Sequence, residues 1–345
     1  MSVEFRAASI DYWELFSRDA VELKAPLYAR LAQGMACDAE LRAITGAIKP
    51  GQPPANMLFG AVHFLLLRGA QHRLRAFYPN LAAKPARGDP LPAFRDFCLT
   101  HRVQLTSILA TRVTNTNEVA RSAILCPGFV VLAREAAEPL NIIEIGPSAG
   151  LNLYWDRYAY RYMRESEFFL GGDKNSTLVI ETPLKGDRLP PLDPLPRVGN
   201  RIGLELQPPD LSNPDDRDWL KALVWPDHPE RFHRLKLALG LNAEWPHDIR
   251  EGDALKLLPD VLAEIPKDQT LCIYHTLTTY QFTPEMTRAL DDMLTTASVR
   301  RPVWRLSLER ANGDFPLTLA RYADGTVATR VLAIGGPQGS WLEWR

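Results

Sequence analysis

The residue types with the most chemical potential fall between Asn141 and Tyr160, NIIEIGPSAGLNLYWDRYAY. An apolar run of Ile142, Ile143 and Ile145 carries one acid, Glu144, breaks at Gly146 and resumes at Leu151. That pattern predicts a buried strand, a glycine turn and the start of a helix. Such a turn aims backbone N–H groups at a polar or negative ligand. Its small residues, Gly146, Ser148, Ala149 and Gly150, allow a ligand close to the main chain. The same letters spell G-x-S-x-G, a sharp elbow that presents a serine nucleophile. Two chemistries therefore compete for one segment: holding a nucleotide-like ligand, and acyl transfer through Ser148.

A ligand carrying ribose needs a carboxylate at the end of the next strand. Glu205 in RIGLELQPPD takes that place, delayed well past the usual interval of about 20 residues. In IREGDALKLLPD, Gly252-Asp253 is expected at a strand end before a helix, where Asp253 reaches an adenine amino group. His275 stands in YHTLTTY with an ordinary pKa near neutrality, suited to taking a proton. Tyr280 and Tyr154 could orient a substrate or lie against a cationic centre. The polar segment TNTNEVAR precedes an apolar helix. Asn115 or Asn117 caps it and Glu118 pairs with Arg121 at i, i+3, or else Asn117, Glu118 and Arg121 face ligand as a lid. Asp156 and Arg157 read as an internal ion pair, and Tyr154, Trp155, Tyr158, Tyr160 and Tyr162 as core and cleft wall.

Acyl transfer would use Ser148 as nucleophile, Asp253 as acid and His275 as base, in the right chain order. Three features oppose it. Glu144 puts a carboxylate in a strand that such enzymes keep apolar, no His-Gly-Gly segment lies upstream, and no histidine follows His275.

These residues need a frame. Residues 1–135 read as all-helical: Pro26 opens a helix, Asp38 caps one, Pro53-Pro54 introduce another, and Phe94 to Leu109 supply apolar helical spacing. From Pro139 the pattern changes, and residues 136–345 alternate strand and helix. Ile142–Ile145, Arg201–Leu206, Leu271–Tyr274 and Val303–Leu308 predict a mostly parallel α/β sheet. Leu317–Tyr322 and Thr326–Ile334 flank Asp324-Gly325, a strong hairpin signal. Residues 161–200, rich in Gly, Pro and charge, read as an insertion with a short strand at Thr177–Glu181.

Composition narrows the function classes. The 345 residues include 40 basic and 41 acidic side chains, a balance that creates no global field for nucleic acid. Cys37, Cys98, Cys126 and Cys272 are widely spaced and suggest neither a disulfide framework nor a zinc knuckle. His63, His72, His228, His233 and His247 lack tight metal-ligand spacing. The N-terminus lacks a signal-peptide pattern, and the longest apolar run, Met57–Leu67, suits a buried helix better than a membrane span. A cytoplasmic setting with no membrane or nucleic-acid partner is expected.

In their order, the turn, the ribose acid, Gly-Asp-Ala and the strand ending in YHTLTTY resemble the class I S-adenosylmethionine (SAM)-dependent methyltransferases. EIGPSAGLNLYWDRYAY, TNTNEVARS, RIGLELQPPDL, DRDWLKALVWPDHPERFHRLKLAL, GDALKLLP and YHTLTTY are together similar to an uncharacterised bacterial family of unknown function, over nearly the whole chain. That family is grouped with methyltransferase-like folds. The resemblance implies a Rossmann-like sheet with an N-terminal all-helical domain, SAM as cofactor, and an unidentified small-molecule or peptide-like acceptor. By position it implies that Glu144 orients the turn or approaches the methionine amino group and that Gly146 and Gly150 line the ligand. Ser148 replaces the usual second glycine. Glu205 would hold the ribose, Asp253 the adenine, Ala254 and Leu255 would flank the base, and His275 would face the acceptor. His275-Thr276-Leu277 stands where some methyltransferases carry Asn/Asp-Pro-Pro-Tyr, which points away from adenine and glutamine amino groups. Two alternatives stay open: a non-catalytic SAM-binding or interaction module, and the serine hydrolase.

Overall fold

A computed structural model describes residues 9–246 and 248–345. Six helices come first: α1 Ile10–Glu22, α2 Pro26–Cys37, α3 Ala39–Ile44, α4 Pro54–Leu67, α5 Leu91–Thr100 and α6 Arg102–Thr111. Then follow α7 Ser122–Glu135, β1 Leu140–Ile145, β2 Ala159–Arg164, β3 Glu167–Gly172, β4 Val179–Lys185 and β5 Val198–Glu205. Helices α8 Pro214–Ala222 and α9 Pro229–Asn242 lead to β6 Asp248–Glu251, α10 Ala254–Glu264 and β7 Thr270–Thr276. The chain ends with α11 Pro284–Ser298, β8 Val303–Leu308, β9 Pro316–Ala323, β10 Thr326–Gly335 and β11 Leu342–Trp344. The fold is mixed α/β, with a large, mostly parallel sheet.

The chain divides into two compact units. One holds the residues up to Thr116 with Asp210–Lys236; the other holds Asn117–Pro209 with Leu237–Arg345. The division differs from a single boundary at 135. Residues 117–135 group with the sheet, and 210–236 return to the helices.

In the first unit, prolines start α2, α4 and α8, where no intrahelical N–H is missed. Asp38 caps α3, accepting from the Glu40 and Leu41 amides at 3.0 and 3.1 Å. The apolar spacing from Phe94 to Leu109 forms two helices, α5 and α6, parted at His101. Helix α4 is buried on nearly every side through Met57, Leu58, Phe59, Val62 and Leu66. Its His63 is fully enclosed yet satisfied: Nδ1 meets the Ala222 carbonyl and Nε2 the Asn80 amide, both at 2.9 Å. A carbonyl only accepts, so Nδ1 carries the proton and Asn80 Nδ2 donates to Nε2. Burial lowers the His63 pKa to about 4. Between pH 6.5 and 4 the unfolded chain gains a proton that the folded one refuses, so stability is full above 6.5 and falls toward 4. The expected loss is about 3 kcal/mol. Urea unfolding at pH 7 and pH 4 should show it, and His63→Gln should lose less; equal losses would refute the assignment.

In the second unit the strands run β3-β2-β4-β11-β10-β9-β8-β7-β1-β5-β6. The five from β6 to β8 are mutually parallel. After β2, β3 and β4 at the far edge, the chain returns to the other side of β1 for β5 and β6, then crosses to β7 and β8. Strand order therefore reverses between β1 and β7. Strand β9 runs antiparallel to β8, and β10 to β9. Their hairpin turns at Asp324-Gly325 with φ of 52° and 73°, the positive pair that the Asp-Gly signal implies. Ile143, Ile145, Ile202, Leu204, Leu271 and Ile273 pack with Leu258 and Val261 of α10 and Leu290 and Leu294 of α11. Alternation along β1 turns Glu144 away from that core.

The structure refines the sequence reading here in several places. The helix that starts after the glycine turn is a 3-10 helix, Leu151–Arg157, with Tyr154 off helical geometry. Tyr158, Tyr160 and Tyr162 are all buried, a period of two that places the last two in β2. The segment read as an insertion at 161–200 holds most of β2 and all of β3 and β4, which extend the sheet. Asp156 takes Arg201 as its two-pronged partner at 2.7 and 2.8 Å, while Arg157 lies 3.8 Å away with its side chain more than half exposed. The planar guanidinium fits the carboxylate and also lies over the Tyr154 ring, its Cζ 4.8 Å from the centroid.

Candidate functional site

The polar residues singled out in the sequence gather at the C-terminal ends of β1, β5, β6 and β7. The turn after β1 is held in left-handed geometry at Gly146 (φ 69°), Ser148 (φ 53°) and Gly150 (φ 72°). Gly146 donates to the Leu204 carbonyl at 3.0 Å, and Ser148 N–H donates to Glu205 Oε2 at 2.9 Å. One carboxylate thus ties the end of β5 to the turn after β1. Glu205 Oε1 has only a long contact, 3.5 Å from the Gln207 amide. Neither glycine opens onto free space. A Cβ on Gly146 would stand 2.6 Å from Thr278 Cγ2, and one on Gly150 would stand 2.7 Å from Ile249 Cδ1. The side-chain oxygen of Ser148 is buried and has no hydrogen-bond partner among the described residues.

Asn117 clamps this turn: its Nδ2 donates to the Pro147 carbonyl at 3.3 Å, and its Oδ1 accepts from Leu151 N at 3.1 Å. The cap expected of Asn115 or Asn117 on the apolar helix is not made, since α7 has no side-chain cap; Glu118 caps the short 3-10 turn Val119–Arg121 before it, its carboxylate accepting from Ala120 N at 3.2 Å. Arg121 straps two loops, donating to the Pro337 and Thr276 carbonyls at 2.9 and 3.2 Å.

Glu144 is buried and accepts from the Tyr274 hydroxyl at 2.8 Å. Burial raises its pKa to about 8, against the Tyr274 bond and the Arg121 charge. At neutral pH it is mostly protonated. A cation placed beside it would drive the proton off.

At the end of β7, His275 is wholly buried, with Nδ1 2.7 Å from Glu309 Oε1. The same oxygen accepts from Thr278 N at 2.9 Å and Thr279 N at 3.2 Å. Burial lowers the His275 pKa, although Glu309 opposes it. Burial also pushes the Glu309 carboxyl up, but His275 and the two amides outweigh it and hold it below its usual range. His275 Nε2 has no hydrogen-bond partner among the described residues. Leu277 follows in the left-handed region (φ 49°), a strained conformation for a branched residue. Sequence reasoning missed Glu309; its only signal was an acid just past the apolar run of β8.

Asp253 caps α10, accepting from Leu255 N at 3.0 Å, and Ala254 is the first residue of that helix. Tyr154 is buried, donates to the Pro246 carbonyl and lies 4.7 Å from the Trp245 ring. Tyr280 is 69% exposed. The relay of Ser148, His275 and Asp253 is not formed, because His275 takes Glu309 as its carboxylate and Asp253 serves the helix. Among the described residues no three His, Cys, Asp or Glu side chains group as a metal site, and no helix is long and apolar enough to cross a membrane. His247 lies outside the described residues.

Fold and site together define a mixed α/β protein whose polar groups meet where strand order reverses, the usual place for a ligand in such sheets. The chain belongs to the bacterial family DUF2332, described as "uncharacterized protein conserved in bacteria", whose model matches residues 11–344. Comparison with curated proteins and with solved structures finds no match.

Proposed function

We propose that this chain is a SAM-dependent methyltransferase of Rossmann-like architecture, acting in the cytoplasm on a small-molecule or peptide-like acceptor. The observation that carries the reading is the bond from Ser148 N–H to Glu205 Oε2. It holds Glu205, the acid we assign to the ribose, against the glycine turn beside the β1/β7 reversal, where open α/β sheets take their ligands. Strain at Ser148 and Leu277 flanks the same point. The antiparallel strand β9 after the fifth parallel strand fits the class as well. In it Glu205 Oε1 accepts from ribose hydroxyls, Asp253 meets the adenine amino group beside Ala254, and Glu144 faces the methionine ammonium. Bound there, SAM would supply an electrophilic methyl group to an acceptor lone pair, with S-adenosylhomocysteine as the leaving group. The protein's task is alignment. His275, enclosed and bonded to Glu309, holds the Thr278–Thr279 loop in position and takes no proton from the acceptor.

That burial of His275 favours a second reading, a SAM-binding module without turnover. Calorimetry with SAM, followed by incubation with a cell extract, separates the two. Binding with release of S-adenosylhomocysteine supports the transferase, and binding without release supports the module. No binding removes both, and labelling of Ser148 by a fluorophosphonate would reinstate the hydrolase.

A further inference from the structure

At the end of the sheet away from the glycine turn, where β7 and β8 begin and α7 stops, lies a cavity of about 230 Å³. Three cations line it, Lys267, Arg301 and Arg321, and none of them meets a carboxylate among the described residues. Elsewhere in this unit Arg161, Arg201, Arg250 and Arg330 each hold an acid. Arg301 Nη1 donates to the Ile265 and Pro266 carbonyls at 3.0 and 2.7 Å, and Nη2 to the Leu262 carbonyl at 2.9 Å. Those bonds tie down the end of α10. Burial lowers the Arg301 pKa, and no acid opposes the shift. Arg321 stands directly across from Trp304 in the β8–β9 ladder, its Cζ 5.8 Å from the centroid of that buried ring. The ring supports the guanidinium and leaves its N–H groups without a protein acceptor. Gln269 Oε1 accepts from Asn141 Nδ2 at 3.0 Å, and its own amide nitrogen has no partner among the described residues.

Two acids share the wall. Glu135 already pairs with Arg330, whereas Asp268 holds no cation among the described residues. The carbonyl ends of α7 and α10 add about half a negative charge each, the usual reason for cations near a helix end. With Asp268 they offset about two of the three cations, so the cavity stays positive. Its size suits a group of a few atoms, since pockets for drug-sized ligands begin at about 300 Å³. A carboxylate brings only two oxygens to the donors of Arg321, Lys267 and Gln269. A tetrahedral oxyanion brings four and carries more charge.

We propose that this cavity binds phosphate, free or as the phosphate group of a small ester, through Arg321, Lys267 and the Gln269 amide. The planar fork of Arg321 takes two oxygens, and the ammonium and the amide take the others. Arg301 adds charge without leaving its carbonyls. The site lies at the opposite ends of the parallel strands from the glycine turn and does not depend on SAM binding there.

The test is calorimetric titration of the full chain with sodium phosphate and with glycerol 3-phosphate, against sodium acetate and sodium chloride at equal ionic strength. Phosphate or its ester should give saturable heat, and acetate and chloride should not. Whichever of the two binds more tightly tells free phosphate from an ester as the occupant. The thermal midpoint in phosphate is a poor readout, because that ion stabilises folded proteins in general by exclusion from their surface. Arg321→Gln should weaken binding by about tenfold or more, as expected for the loss of a hydrogen bond between charged groups. Its stability in chloride should hold, since the side chain makes no protein hydrogen bond. Arg288→Gln, an equal change of charge on the exposed side of α11, should leave phosphate affinity unchanged. Absence of saturable heat would overturn the proposal, and so would acetate binding as tightly as phosphate. Unchanged affinity in Arg321→Gln, or an equal loss in Arg288→Gln, would do the same.

Discussion

Glu205→Ala is expected to weaken SAM binding by about a hundredfold or more. Two ribose hydroxyls donating to a charged oxygen contribute about 1.5–3 kcal/mol each, so losing both gives that factor. The same substitution frees the Ser148 N–H, now held at 2.9 Å, and should lower stability by about 1–2 kcal/mol. These losses are separable. Glu205→Gln keeps an oxygen for Ser148 and removes the charge, so it should restore most of the stability and little of the affinity. Calorimetric titration with SAM and urea unfolding of the three proteins give both numbers. Should Glu205→Ala bind SAM as tightly as the parent while losing stability, Glu205 would be a loop tether and the ribose assignment would fall.

Glu205 and Asp253 were legible in the sequence because each is local: an acid ends an apolar run, or precedes a helical one. Strand β8 and the Asp324-Gly325 hairpin were legible for the same reason. The turn after β1 was read correctly as far as Gly150. Beyond it the alternating Tyr158, Tyr160 and Tyr162 already had strand period, but the preceding LNLYWDR has helical spacing and hid it. What the glycines face was not legible. Thr278 over Gly146, from the loop after β7, and Ile249 over Gly150, from β6, are distant in the chain. Glu309 lies 34 residues from the histidine it holds, and Asn117 lies 30 from Pro147. No spacing rule reaches so far. The return of Asp210–Lys236 to the helical unit is likewise a tertiary outcome, anchored by groups such as the Ala222 carbonyl on His63.

Glu144 provides the second large effect, and its sign follows from its burial. Its carboxyl is protonated in the folded chain up to about pH 8, whereas the unfolded chain ionises near its ordinary 4.5. The contribution to stability is therefore full below pH 4.5 and falls as pH rises toward 8. At pH 7 the loss is about 3 kcal/mol. Glu144→Gln mimics the protonated form and can still accept from Tyr274. It should be flat across that range and, at pH 7, more stable than the parent. Ligand binding then runs the other way. A methionine ammonium beside Glu144 favours the ionised carboxylate, so SAM should release up to about one proton per molecule bound at pH 7. Titration in phosphate and in Tris, whose ionisation enthalpies differ, would register that proton as a buffer-dependent heat. Glu144→Gln should bind SAM more weakly and without the buffer dependence. A stability gain coupled to a binding loss marks a buried charge kept for a ligand and not for the fold. Parallel pH profiles for the two proteins, with equal heats in the two buffers, would show that Glu144 has neither role.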